Sequence, residues 1–254
     1  MKISIVTIVR NNREYIADAV QSVLEQDYPH IEHVIVDGLS TDGTVEYLQS
    51  CERRPGTLIS EADTGIYNAL NKGLKLATGD FVGFVHSDDY LDSSTTISQI
   101  AAQLQQSGAD MIYGDLEYVQ AENPTQVVRY WQSGDFHPKI MLGGWMPPHP
   151  TVFVRRSLLA KHGYYREDMK IAADYEWMLR YIHFAQVHPT YLPQVICKMR
   201  LGGTSNKNLK NLIRKTREDL LSWRLNGKRF RGYIAIVGKN LSKVQQFWRR
   251  RAGE

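Results

Sequence analysis

From Ile3 to Val85 the chain alternates apolar, β-rich runs with amphipathic helical stretches, and this pattern constrains the fold more than any other feature. Ile3–Val9 is almost continuously apolar, as a strand covered on both faces should be. Ile16, Ala19, Val20, Val23 and Leu24 then share one helical face, and Pro29 lies just beyond the end of that helix. A strand over His33–Val36 ends at Asp37. The loop Gly38-Leu39-Ser40-Thr41-Asp42-Gly43 leads into a helix starting near Thr44. A short strand at Leu58-Ile59, a helix over Ile66–Leu76, a break at Gly79 and a strand over Phe81–Val85 complete the series. Strands separated by helices of this length predict βαβ units and a parallel sheet. Ligands of such sheets bind beyond the carboxyl ends of the strands, which here points to Thr7, Asp37 and Asp88-Asp89.

The rest is less regular. The pattern predicts a helix over Thr95–Gln106, a strand near Met111–Tyr113 and a hairpin over Leu116–Trp131 turning at Asn123-Pro124. Gly143–Pro150 reads as loop and Thr151–Val154 as a short strand. Ala172–Phe184 reads as a helix carrying Asp174, Glu176 and Arg180, and Val187–Arg200 as a strand pair. A glycine loop, Leu201–Ser205, precedes a tail that looks helical from Asn206, with breaks near Asn226-Gly227 and Gly232. The expected division is a domain over 1–205, with halves 1–92 and 93–205, followed by a helical extension over 206–254.

Charge separates that extension from the body. From Lys207 onward there are 14 Lys or Arg and three acids, whereas the preceding 206 residues hold 17 bases and 24 acids. Basic residues interleaved with Leu220, Trp223, Phe230, Ile234, Phe247 and Trp248 describe a helix lying on an anionic membrane or, alternatively, on nucleic acid. No run reaches the roughly 20 apolar residues of a transmembrane helix. The apolar N-terminal run is too short for a signal-peptide core, and Cys51 and Cys197 lack metal-ligand partners nearby in sequence. The expected compartment is the cytoplasm.

Ser87-Asp88-Asp89 after an apolar strand is the main chemical signal. Adjacent carboxylates repel, and a hard divalent cation bridging to phosphate relieves that cost. The same residues would also suit the cap of a turn at Asp92-Ser93-Ser94.

Four segments in order, Ser4-Ile5-Val6-Thr7 with Asn11, Val36–Thr44, Asn71-Lys72-Gly73 with Ala77–Asp80, and Ser87-Asp88-Asp89, resemble the inverting glycosyltransferases of family 2. The stretch Glu61–Gly73 is similar to the bacterial subset that builds colanic acid, O-antigen and other surface polysaccharides. The resemblance implies an α/β GT-A fold, with a Rossmann-like nucleotide-binding half, and a nucleotide-sugar donor, with UDP the expected nucleotide. It implies that Thr7, Val9 and Asn11 line the nucleotide pocket, that Asp37 bonds the base, and that Asp63 sits near base or ribose. Asn71 and Lys72 belong to the same binding region. Asp88 would contact the ribose and metal side, and Asp89 would hold Mn²⁺ or Mg²⁺ on the diphosphate. Leu70 stands where many relatives carry Arg, so a nucleotide is implied more firmly than uracil.

In the second half the resemblance implies that Asp174 is the catalytic base, which an inverting transfer needs to take the acceptor proton. As a first-turn acid Asp174 would equally suit the helix dipole. Glu176 points away from that face. His149 would touch diphosphate or acceptor, and Arg200 with Gly202–Ser205 would close over the donor phosphates. The implied acceptor is a glycan or a polyprenyl-diphosphate-linked glycan at the inner face of the membrane, and no nucleic acid is expected. Two other readings remain: a nucleotidyltransferase, against which stands the lack of a Gly-rich phosphate loop after the first strand, and a non-catalytic basic membrane- or nucleic-acid-binding protein on a degenerate transferase fold.

Overall fold

The computed structural model describes residues 1–51, 56–201, 209–227, 232–235 and 238. Among these, β1 (Ile3–Val9), β2 (Ile31–Asp37), β3 (Thr57–Ser60) and β4 (Phe81–Phe84) form a parallel half-sheet in the order β3-β2-β1-β4. The sheet continues through β8 (Phe153–Arg155), antiparallel to β4, then β6 (Met111–Val119), β9 (Thr190–Arg200) and β5 (Asp89–Leu91). β7 (Val127–Trp131) returns antiparallel on β6 as the expected hairpin. The helices are α1 (Ile16–Leu24), α2 (Thr44–Ser50), α3 (Ile66–Leu76), α4 (Thr96–Ser107), α5 (Ser157–His162), α6 (Ala173–Met178) and α7 (Leu209–Leu225).

Alternation along β1 divides the core. Val6 and Ile8 join one cluster with Leu70 and Leu74 of α3, while Ile3, Ile5 and Val9 join the other with Ile16, Val20 and Val23 of α1 and Ile97 and Ile100 of α4. Complete burial of each such aliphatic side chain contributes about 1.5–3 kcal/mol. α3 lies so close to the sheet that a Cβ at Gly73 would collide with Val6.

The structure departs from the sequence pattern at identifiable places. Val187–Arg200 holds one long strand, not a pair. Pro193 offers no N–H, and the β6–β9 ladder shifts register there, between the pairs Tyr113–Tyr191 and Asp115–Val195, so the strand passes the proline as a bulge. Asp89 starts strand β5 on β9 and does not cap a helical turn. The helix expected over Ala172–Phe184 is α only to Met178 and then widens into a π-helix over Leu179–Phe184. The basic stretch begins as helix, and α7 belongs to the body: Trp223 is fully buried against the first core cluster. The glycine loop at 202–205 and most of the tail beyond 227 lie outside the described residues.

Candidate active site

Three parallel strands end side by side, pairing Val9 with Asp37 and Asp37 with Ser60. The Asp37 carboxylate is completely buried, and Oδ2 accepts from the Ser60 hydroxyl (2.6 Å) and the Ser40 backbone N–H (3.0 Å). Oδ1 is buried with no hydrogen-bond partner, although buried polar atoms are normally satisfied. Asp63 stands directly over this strand end. Its Oδ2 occupies the space a Cβ at Gly38 would need, and its Oδ1 accepts from the Gly65 N–H at 2.9 Å. Glycine at 38 therefore leaves room for the Asp63 carboxylate beside the residue that follows Asp37.

Several residues expected to touch substrate help to build this edge. Thr7 is fully buried, its hydroxyl bonded to His33 Nε2 at 2.9 Å, and Val9 packs into the core below, so neither side chain lines an open cleft. Asn11 adopts φ 49° and its side-chain oxygen accepts from the Thr41 N–H at 2.8 Å, which fixes the 38–43 loop. Asn71 is buried and its amide clamps the backbone of Tyr165 and the carboxylate of Glu167. Lys72 bonds the Ala62 carbonyl (2.6 Å) and Glu61 (2.8 Å), holding the strand of chain that carries Asp63.

Beyond β4 the two adjacent carboxylates diverge. Asp88 is half-buried and its electrostatic neighbour is His86. Asp89 is fully buried, neither of its carboxylate oxygens has a hydrogen-bond partner, and its neighbours on the far side are Tyr118 and Cys197. Burial, reinforced by Asp88 and opposed by Arg200, pushes the Asp89 carboxyl well above the usual range. Asp89, the residue expected to hold the metal, is therefore the enclosed member of the pair. Asp88 is the member of the pair that faces the site.

Arg200 is also reassigned. It is buried at the end of β9, where it pairs with Asp18, donates to the Asp88 carbonyl at 3.0 Å and lies between the rings of Tyr15 and Tyr90. A guanidinium held so firmly from both faces fixes the Asp88 backbone against α1. It does not ride on a mobile loop.

The second half supplies the other wall. Asp174 lies in the first turn of α6 and is half-exposed, while every other α6 residue is buried. Its Oδ1 accepts from the Tyr175 N–H (2.8 Å) and faces the Tyr67 hydroxyl at 3.4 Å. Glu176 is turned into the core, paired with Arg180 at 3.0 Å. Asp88 and Asp174 both act electrostatically on His86, whose Nδ1 is buried without a partner. His86 stacks on His149 (ring centroids 5.8 Å apart), which stacks on Phe84 and shares a 2.6 Å hydrogen bond with the Tyr165 hydroxyl. Burial lowers the His149 pKa to about 4, with Asp174 opposing and His86 adding to the shift. His149 is thus neutral near pH 7 and is not a phosphate-binding cation. His86, Tyr67, Tyr165 and Ser60 were not singled out by sequence. The signal for His86 was its place directly before Ser87-Asp88 at a strand end.

The model for "Glycosyl transferase family 2" matches residues 4–162. The chain belongs to that family. An uncharacterized glycosyltransferase of Mycobacterium tuberculosis is 31% identical over 214 residues, covering 80% of this chain and 77% of the relative. The Bacillus subtilis glycosyltransferase TuaG, named for teichuronic acid biosynthesis, is 39% identical over 110 residues, 42% of this chain and 44% of TuaG. Among solved structures, Staphylococcus aureus TarS 1–349 in complex with UDP-GlcNAc superposes with TM-score 0.66 at 19% identity, over 91% of this chain and 73% of that one. Of the longer TarS chain the match spans 39%. The fold is the GT-A fold expected from the sequence.

Proposed function

We propose that this glycosyltransferase moves a sugar from a nucleotide-diphosphate sugar, with UDP the expected nucleotide, to a hydroxyl of a growing surface glycan, with inversion. The carrying observation is Asp37, whose buried Oδ1 lacks the donor that its own Oδ2 has twice over. An N–H on the edge of a nucleobase would satisfy it, and the strand-end position is where sheets of this class bind nucleotides. The TarS complex with UDP-GlcNAc and the surface-polysaccharide name of TuaG support the donor and the pathway class.

Asp174 would accept the proton of the acceptor hydroxyl as that oxygen attacks the anomeric carbon from the face opposite the leaving diphosphate. The neutral His86–His149 stack forms an uncharged floor between Asp88 and Asp174, so neither carboxylate is neutralised by a fixed imidazolium. Among the described residues no group of three or more His, Cys, Asp or Glu could hold a metal alone. The residues present still fit a Mn²⁺ or Mg²⁺ bound largely by the diphosphate, with Asp88 as protein ligand and the orphaned His86 Nδ1 beside it. Such an ion would offset charge on the leaving group.

Thermal unfolding with UDP-, GDP-, dTDP- and CMP-sugars, each with and without Mn²⁺, tests the reading, because a ligand of the folded state raises Tm by mass action. We expect a Mn²⁺-dependent rise with UDP-sugars, lost in Asp88→Asn and kept in Asp89→Asn. No rise with any nucleotide would sink the donor site, and dependence on Asp89 in place of Asp88 would reverse the metal assignment.

The acceptor is proposed to be a glycan or a polyprenyl-diphosphate-linked glycan presented at a membrane. No helix among the described residues is long and apolar enough to cross one. The outer side of α7 exposes Leu212, Ile213 and Leu225 beside Arg214, Arg217 and Arg224, a composition suited to the surface of an anionic bilayer. Co-sedimentation with phosphatidylglycerol vesicles should be strong and salt-sensitive. Equal binding to purely zwitterionic vesicles would remove the electrostatic part of this proposal.

A further inference from the structure

The segment just ahead of Asp174 has no regular partner in the sheet, yet its backbone is held. The N–H groups of Lys170, Ile171 and Ala172 all donate to one carboxylate, that of Glu218 on α7, at 3.0, 2.8 and 2.8 Å. The next two N–H groups, of Ala173 and Asp174, face the Tyr67 hydroxyl. The Tyr175 N–H returns to the Asp174 carboxylate, and the Glu176 N–H bonds the Ala172 carbonyl. The N–H groups of 170, 171, 172, 175 and 176 thus each have a hydrogen-bond acceptor, and the first three depend on a single side chain.

Glu218 does not act alone on this helix. One α7 face carries Glu218, Ser222, Trp223 and Asn226. Ser222 and Trp223 are fully buried, the Trp223 indole N–H donates to the Tyr175 hydroxyl at 2.9 Å, and the Asn226 amide reaches Glu176 at 3.3 Å. α7 thus grips α6 on both sides of Asp174: Glu218 ahead of it, Trp223 and Asn226 behind it. Three charge-assisted bonds converging on one carboxylate define both the position and the direction of the chain entering α6.

We infer that Glu218 is the positioning residue for Asp174, holding the 170–172 backbone so that the base faces the donor cleft. This rests on the reading of Asp174 as the base, and Glu218 itself touches no substrate. It also gives the basic C-terminal helix a role inside the enzyme: its outer side is free for a surface, while its inner side sets the geometry of the acceptor wall.

Two measurements on the full chain test the inference separately from the functional reading. Hydrogen–deuterium exchange should show amides 170–174 losing protection by about tenfold or more in Glu218→Ala, with β1 and β2 unchanged, because local opening is governed by the bonds that close the segment. Glu218→Gln keeps the side chain's size and one acceptor oxygen, and should lie between the two if Glu218→Ala proves poorly folded. Unchanged protection at 170–174 in both variants overturns the proposal. In the second measurement, UDP release from UDP-GlcNAc with Mn²⁺, the variants should lose about 10–100-fold in kcat with donor KM within about twofold, the pattern of a misplaced catalytic group. A loss confined to KM, or no loss, also overturns it. A wild-type chain that binds neither UDP nor UDP-GlcNAc would sink the donor reading instead, and the exchange result would still decide the role of Glu218.

Discussion

The two walls of the cleft are built in different ways. The wall proposed to bind the donor is assembled by the sheet itself: Val9, Asp37 and Ser60 are neighbours because β1, β2 and β3 pair in register, and Asn11, Ser40 and Lys72 fix the loops between them. The wall proposed to face the acceptor is a short helix turn set by side chains from elsewhere, namely Tyr67 of α3, Glu218 and Trp223 of α7. Backbone ladders give the first wall a geometry that survives loss of almost any one side chain. The second wall has few such ladders, so single substitutions should move it. A transferase needs both properties, since the nucleotide recurs from enzyme to enzyme while acceptors differ.

The largest effect expected from this contrast is a separation of binding from turnover. Asp174→Asn keeps the shape of the first turn of α6, because the amide oxygen can still accept from the Tyr175 N–H. It removes the carboxylate proposed as the proton acceptor, and general-base catalysis typically supplies roughly 10²–10⁴-fold. The variant should lose that factor in kcat and retain UDP affinity within about twofold. Equal losses in UDP affinity would mean that the two walls are not independent, and the contrast between them would fail. Calorimetric UDP titration beside a UDP-release assay decides between these outcomes.

How far each wall could be read from sequence follows the same division. β1, α1, α2, α3 and β4 lie where hydrophobic periodicity places them, because a parallel sheet covered on both faces writes itself as apolar runs and amphipathic helices. Asp37 could be located because it ends a strand. Periodicity does not tell a side chain that bonds a ligand from one that bonds a neighbouring loop, and the bonds that Thr7, Asn11, Asn71 and Lys72 make within the protein are visible only in the fold. The different burial of Asp88 and Asp89 is not legible in sequence: Asp89 starts strand β5 and is turned inward, while Asp88 just ahead of it is half-buried. In the second half, the bulge at Pro193, the π-helix after Met178 and the reach of Glu218 to residue 170 all depend on contacts between segments distant in sequence.

Acid titration compares the walls through one buried histidine in each. His33 lies behind β1, bonded to Thr7, and burial alone lowers its pKa to about 4. His149 has the same value, with Asp174 opposing the shift. Both are neutral when folded and titrate at about pH 6.5 when unfolded, so the unfolded chain takes up protons first as pH falls. Stability is therefore whole above about pH 6.5 and is lost progressively toward pH 4, by at most about 3 kcal/mol for each histidine. Glu32, depressed to about 2 by its bonds to Lys2, Ser4 and Thr78 against the cost of burial, keeps its charge when folded, but the unfolded chain protonates it near pH 4.5, so it adds to the loss of stability at the acid end of this range. His86, also lowered by burial, adds in the same direction. His33→Gln should flatten the dependence of urea-unfolding free energy on pH between about 6.5 and 4.5. His149→Gln should flatten it by a similar amount and, unlike His33→Gln, should also shift the pH profile of UDP release, because His149 stands in the electrostatic field of Asp174. If both variants shift the activity profile equally, the donor wall is less insulated from the base than its ladder of strands implies. If neither changes the slope, the histidines are solvated in the native state and the acid sensitivity lies elsewhere.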